Sequence, residues 1–153
     1  MTHPQIAVRS PRSFFIGGNW ARPSSDRELS VISPITEETL LKFAEANERD
    51  VDTAVAAART AFDEGPWPRT PPAERARMLR KVADALERRL PELANAWTGQ
   101  VGAPIGLTKY ASMQAPLLFR FYADLVEKWP IIDERKRDDG KVARVVKEPA
   151  GVV

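Results

Sequence analysis

The composition of this 153-residue chain, 43% hydrophobic and 29% charged, is that of a globular protein with a core. Its 23 basic and 21 acidic residues nearly balance at a formal charge of +2, so we expect no nucleic-acid partner, because such proteins carry a clustered basic face. The chain contains no cysteine, which excludes a disulfide framework, a thiolate metal site and a cysteine nucleophile within these residues.

The amino-terminal segment is polar and is predicted to be a disordered tail over residues 1–11. The single histidine, His3, lies in this tail, so we expect no catalytic or metal role for it. The sequence has no signal-peptide core and no apolar run long enough to cross a bilayer. We therefore expect a cytoplasmic protein without a membrane partner.

Short strands are predicted for the first part of the chain. Aromatic residues flank Gly17-Gly18-Asn19, a pattern typical of a tight hairpin that needs positive φ. A phosphate-binding glycine loop is the alternative, but neither Gly-x-Gly-x-x-Gly nor a Gly-Lys-Ser/Thr ending is present. Two further strands, over 29–32 and 39–44, flank a turn at Ser33-Pro34.

Four helices are predicted next. Asn47 and Asp50 form a capping-box pattern that begins the first helix, and Thr70 is predicted to cap the second. The second helix carries arginines that would suit a basic patch, but acidic residues are interleaved, so we predict a solvated face. The third helix is predicted to start at Pro91. The fourth covers about 107–128 and should bend or split near Ser112, because Pro116 interrupts it.

The carboxyl-terminal residues predict a sheet that the chain does not complete. Residues 133–140 are predicted to be a charged turn, and 142–147 an exposed strand. The apolar run 150–153 is typical of the opening of a strand buried in a parallel sheet. Such a sheet needs further strands and crossover helices. We therefore predict the front part of a larger α/β protein.

Six segments occur in an order and at separations that match one known family, over about 12–153. The six segments are Phe15–Trp20, Ile32–Glu37, Asp50–Arg59 with Ala61, Phe62 and Trp67, Glu74–Leu79 with Ala83–Glu87, Gly102–Pro104, and Lys147–Val153. Together they resemble the amino-terminal part of the NAD(P)-dependent aldehyde dehydrogenase superfamily. The Ser33-Pro34 turn is similar to that family's Asn-Pro-x-Thr-Gly-Glu turn, with serine for asparagine and Glu37 at the glycine position.

The resemblance implies an α/β fold, in which residues 12–153 are the mostly helical amino-terminal part of a Rossmann-type cofactor domain with an incomplete sheet. It also implies that residues near 130–148 begin an oligomerisation arm, and that the complete protein forms a homo-oligomer. The implied reaction is oxidation of an aldehyde to a carboxylic acid through a cysteine thiohemiacetal, with hydride passing to NAD or NADP.

The resemblance places no catalytic or cofactor-binding residue within this chain. The family's Pro-Trp-Asn motif, cofactor-binding lysine, glycine-rich turn, glutamate and cysteine follow the position of Val153. We therefore expect no tight cofactor binding and no activity by the chain alone. Three hypotheses follow: a truncated aldehyde dehydrogenase, a partner-dependent piece that docks on the remainder of the enzyme, and an unrelated helical interaction module.

One metal site is implied within the chain. Many members of the superfamily bind a monovalent cation through backbone oxygens near the strand before the Asn-Pro turn and through an acid before the third-helix glycine. The matching positions are Val31, Ile32 and Gln100. Because Gln100 replaces the acid, and a neutral amide attracts a cation less strongly, the alternative is that Gln100 simply faces a helix end.

Overall fold

The computed structural model describes residues 6 and 8–153. Its strands form three separate two-stranded antiparallel sheets, β1–β2, β3–β4 and β5–β6. The strands are β1 (Phe14–Ile16), β2 (Asn19–Ala21), β3 (Glu28–Ile32), β4 (Thr39–Ala44), β5 (Ile132–Lys136) and β6 (Val142–Val146). The α-helices are α1 (Glu48–Asp63), α2 (Pro72–Arg88), α3 (Leu90–Val101), α4 (Ile105–Ser112) and α5 (Gln114–Lys128), and a 3-10 turn covers Trp67–Arg69. The predicted α/β class is confirmed.

The β1–β2 hairpin confirms the prediction made from its glycines. Gly17 and Gly18 have φ values of 58° and 82°, the paired left-handed conformations that a two-residue hairpin turn requires. Phe15 lies directly across from Trp20, and their rings are 5.3 Å apart between centroids. The tight turn therefore sets a register that the aromatic pair reinforces.

The start of α1 is tied to the connection between β2 and β3. The side chain of Asn47 accepts a hydrogen bond from the Asp50 backbone N–H, and the Asp50 carboxylate accepts one from the Asn47 N–H, which is the predicted capping box. The same carboxylate accepts a bond from the Ser24 backbone N–H at 2.9 Å. Burial of Asp50 raises its pKa, but these bonds outweigh burial, and the pKa lies below its ordinary value.

Small side chains bring α2 and α5 together. Ala76 and Ala83 on α2 and Ala123 on α5 are completely buried, so the two backbones approach closely. Pro116 lies in the first turn of α5, where its missing N–H costs no helical hydrogen bond. The helix is interrupted at Met113, between the end of α4 and the start of α5. The predicted split of the fourth helix is thus confirmed.

Reciprocal ion pairs flank this seam. Arg80 of α2 donates to Asp124 at 2.7 Å and to Glu127 at 2.8 Å on α5. Arg120 of α5 donates in the other direction, to Asp84 and Glu87 of α2. The charges on α2 were predicted to form a solvated face, and they remain partly exposed, but they also link the two helices.

Three local predictions were wrong. Thr70 does not cap α2: the N-cap residue is Pro71, and the Thr70 hydroxyl donates to the Pro66 carbonyl at 2.9 Å. The charged turn predicted for 133–140 is shorter, because Ile132–Lys136 pairs with β6 as a strand. The apolar run 150–153 is not a strand, since no neighbouring strand in the described chain offers it a hydrogen-bonding ladder. Within the described residues, no helix is both long enough and apolar enough to span a bilayer.

Replacing Asn47 with alanine should lower the free energy of unfolding by about 1 kcal/mol, because the first turn of α1 loses its cap. Urea unfolding followed by circular dichroism measures the change. Thr53→Ala, an exposed position in the same helix, is the matched control and should not destabilise the chain. Equal stability of Asn47→Ala and the wild type would contradict the structural role of the cap.

Removing the guanidinium of Arg80 should lower the thermal midpoint near neutral pH. Hydrogen bonds from Arg80 hold the pKa of Asp124 and of Glu127 below their ordinary values. The two ion pairs therefore stabilise the folded chain above about pH 4. This stabilisation is lost as the pH falls through the lowered pKa values of Asp124 and Glu127. The difference between Arg80→Met and the wild type should shrink at acid pH and at high salt.

Arg88→Met is the control for this change, because Arg88 is exposed on the same helix and has no side-chain partner among the described residues. Melting curves at several pH values compare the three proteins. A midpoint difference for Arg80→Met that persists unchanged under acid conditions would argue against the ion pairs as its source.

Candidate functional site

The residues of the predicted cation site lie around the start of the turn that follows β3. Val31 is half-buried and pairs with Leu41, and the ladder slips between Val31 and Ile32. Gln100 lies in the last turn of α3 and is exposed. Val31 and Gln100 line the same shallow cavity of about 480 Å³, whereas Ile32 is half exposed and lies outside its lining.

The turn after β3 packs against the end of α3. Ser33 is 1% exposed, and its hydroxyl oxygen accepts hydrogen bonds from the backbone N–H groups of Ile35 and Thr36. Gly102 ends α3 with a φ of 75°, and a Cβ on this residue would lie 3.0 Å from Pro34 Cγ. The structure thus brings the Ser33-Pro34 turn and the Gly102–Pro104 segment together, and this contact needs a glycine at position 102.

The charges around this cavity do not favour a cation. Among its described lining residues there is no carboxylate, and Arg9 contributes a positive charge. Across the described part of the chain, no group of three or more histidine, aspartate or glutamate side chains is arranged to hold a metal. The site at Val31, Ile32 and Gln100 stays a prediction.

The Gly17-Gly18 turn does not build a phosphate cradle. Gly17 and Gly18 occupy a hairpin turn rather than the start of a helix. The first turn of α1 already holds the Asp50 carboxylate, so its N–H groups do not face an open anion site. Neither the Gly17-Gly18 turn nor the start of α1 therefore combines a glycine turn with free N–H groups at a helix N-terminus.

A stripe of large apolar side chains on α5 faces solvent. Leu117, Leu118, Phe121 and Tyr122 are each more than half exposed. On a helix these positions lie opposite Pro116 and Ala123, the buried residues on the side of α2. We call these four residues the α5 stripe. An exposed apolar area of this kind marks an interaction surface.

The β5–β6 hairpin lies within residues 130–148, where an oligomerisation arm is predicted. Arg144 pairs with Glu134 across the two strands at 2.8 Å. The Lys147 ammonium lies 4.0 Å from the centre of the Trp129 ring, which attaches the end of the hairpin to the end of α5. The structure establishes the hairpin, and its role in an oligomer stays a prediction.

A second cavity, of about 400 Å³, lies where α1 and α2 meet the last residues of the chain. Phe62, Trp67 and Val152 line it together with Arg75, whose Nε is buried without a hydrogen-bond partner in the described structure. The sequence interpretation had assigned Arg75 to a solvated face. The sequence spacing could have indicated that Arg75 lies on the apolar face of α2, because it is one helical turn before Leu79.

Comparison with known proteins decides the family. The model of the aldehyde dehydrogenase family matches residues 20–153 of this chain. The chain belongs to the aldehyde dehydrogenase family. A 3-succinoylsemialdehyde-pyridine dehydrogenase from a Pseudomonas species is 38% identical over 145 residues, which is 95% of this chain and 29% of that protein.

Solved aldehyde dehydrogenases share the fold. The Mycobacterium tuberculosis aldehyde dehydrogenase complexed with NAD+ superposes with a TM-score of 0.81 at 34% identity, over 90% of this chain and 29% of that one. An NAD-dependent aldehyde dehydrogenase from Sinorhizobium meliloti gives 0.81 at 31% identity, over 94% of this chain and 29% of that one. The chain therefore spans less than one third of the length of these relatives.

The α5 stripe should cause the isolated chain to self-associate. Replacing Leu118 and Phe121 together with serine should shift the protein toward monomer in sedimentation velocity, because the change removes apolar contact area. A double substitution of exposed polar residues on the same helix, Gln114→Ser and Lys128→Ser, is the control. A wild-type chain that is monomeric at high concentration would contradict this expectation.

Proposed function

We propose that this chain is the amino-terminal part of an NAD(P)-dependent aldehyde dehydrogenase and that it has no dehydrogenase activity by itself. The observation that carries the proposal is the small size of its core. The buried hydrophobic residues of the described chain are all alanines: Ala44, Ala76, Ala83, Ala94 and Ala123. A self-sufficient domain of this length buries leucine, isoleucine, valine and phenylalanine side chains. The helices thus pack as one layer of a domain whose apolar faces would be buried against a further layer.

The length of the relatives supports the same proposal. The family match covers nearly the whole chain but less than one third of each relative named above. The sequence also contains no cysteine that could form the thiohemiacetal of the family reaction. In the proposed complete enzyme, the nucleophile, the oxyanion-binding groups and the water-activating glutamate are provided by the remainder.

The proposed substrate is an aldehyde, and the proposed cofactor is NAD or NADP. The relatives' names include a pyridine semialdehyde, aminoaldehydes and geranial, so the proposal extends to the aldehyde class rather than to one compound. The proposed enzyme is a cytoplasmic homo-oligomer in which the β5–β6 hairpin takes part in assembly. Support for this role is the position of the hairpin, which projects two exposed strands with apolar residues such as Ile132 and Val146.

A second candidate is a partner-dependent subunit that docks on a separately made remainder. The α5 stripe favours this candidate, because a continuous row of apolar side chains gives such a partner a surface to cover. As such a subunit, the chain would complete the fold of the enzyme, and the partner would provide the catalytic groups. The helical interaction module, the third hypothesis, would use the same stripe for a partner unrelated to dehydrogenases.

Two activity measurements separate these possibilities. The chain alone, given an aldehyde with NAD or NADP, should form no NAD(P)H, because it contains no cysteine. Co-expression with the polypeptide that follows the matched region in the Mycobacterium tuberculosis relative should restore turnover if the chain acts as a subunit. The matched control is that polypeptide expressed without the chain. Turnover by the chain alone would contradict the proposal.

A further inference from the structure

The amino-terminal residues that the structure describes form one wall of the cavity beside the end of α3. Residues 8–11 line this cavity of about 480 Å³, and Val31 and Gln100 line it as well. Ile6 lies before them and is half-buried. We call Ile6 and residues 8–11 the amino-terminal strap. It belongs to the segment for which the sequence predicts a disordered tail.

Polar contacts hold the base of the strap. The Pro11 carbonyl accepts a hydrogen bond from the backbone N–H of Ala44 at 3.0 Å, and the next residue, Arg12, pairs with Glu28 at 2.7 Å. The chain turns at Ser10, whose φ of 55° lies in the left-handed region. A residue with a side chain keeps this conformation only while contacts on both sides of it persist. The path of the strap therefore depends on a contact at its other end.

Ile6 provides that contact, against Gly99. Gly99 is buried within α3, and a Cβ on this residue would lie 3.3 Å from Ile6 Cδ1 and 3.7 Å from Leu40 Cδ1. Ile6 thus occupies the space into which a side chain at position 99 would extend. A glycine inside a helix costs conformational entropy, and the helical backbone here does not require one. What this glycine provides is room for Ile6.

We propose that the amino-terminal strap is a detachable cover of this cavity and that Ile6 is its latch, seated on Gly99. Release of Ile6 carries Arg9 and its positive charge away from the cavity, and it opens the half-buried Val31 to solvent. The strap is thus a conformational device that controls access to the cavity. The inference goes beyond the proposed function and does not rest on it.

Two substitutions remove the latch from opposite sides. Ile6→Ser deletes the apolar side chain, so tryptic cleavage after Arg9 should become about tenfold faster, because the rate follows the population of the detached strap. Gly99→Leu fills the space that Ile6 occupies and should accelerate the same cleavage. Gly106→Leu is the matched control, because it makes the same change within α4, where a Cβ meets nothing within 4 Å.

The test uses the complete 153-residue chain, with fragments followed by mass spectrometry during digestion at a low trypsin concentration. Cleavage after Arg137, in the exposed connection between β5 and β6, is the internal reference in each digest. Melting curves check that each variant folds. If Gly99→Leu does not melt cooperatively, Ile6→Ser decides alone, because it alters only the strap.

Faster cleavage after Arg9 in Ile6→Ser and Gly99→Leu, with the wild-type rate in Gly106→Leu and an unchanged rate after Arg137, supports the latch. The wild-type rate in Ile6→Ser overturns it. Equal acceleration by Gly99→Leu and Gly106→Leu, or a parallel rise after Arg137, also overturns it, because the change would then be a general loosening of the fold. Wild-type cleavage after Arg9 as fast as in a free peptide of residues 1–13 overturns the docked strap itself.

Discussion

The close contact between α2 and α5 is the constraint on which the rest of the helical layer depends. Alanines at the seam allow the two backbones to approach, and the reciprocal pairs of Arg80 and Arg120 hold one helix in register with the other. Once this seam is formed, the remaining faces of both helices have fixed directions. The outer face of α5 carries the apolar stripe, and another face of α2 presents Arg75 to the cavity beside α1.

Those two faces account for the small apolar area that the described chain buries. Hydrophobic stabilisation scales with the apolar area removed from water, and alanine side chains remove little of it. The larger residues that the sequence provides remain at the surface, Phe121 and Leu118 among them. The relatives named above are more than three times as long as this chain. In α/β domains generally, a layer of helices is covered by a sheet.

The secondary structure was most predictable where one or two residues decide a local geometry. The capping box of Asn47 and Asp50 and the break before Pro116 depend on hydrogen bonds and sterics within one turn of chain. Prediction failed where a strand forms only by pairing with another segment of the sequence. The strand that begins at Ile132 needs β6, and the apolar run at 150–153 has no neighbouring strand in the described part of the chain, so neither could be judged from local composition.

The sequence by itself determined the family, the first two hairpins, the capping box of α1 and the absence of a cysteine nucleophile within these residues, because these follow from residue types and their spacing along the chain. The tertiary structure alone decided which charges are paired and which are not. Arg75, Arg80 and Arg88 lie on one helix and are chemically identical, yet the structure buries the Nε of the first without a partner, pairs the second and exposes the third. The physical reason is that burial and pairing depend on which helix packs against each face, and this is set by contacts between residues far apart in sequence.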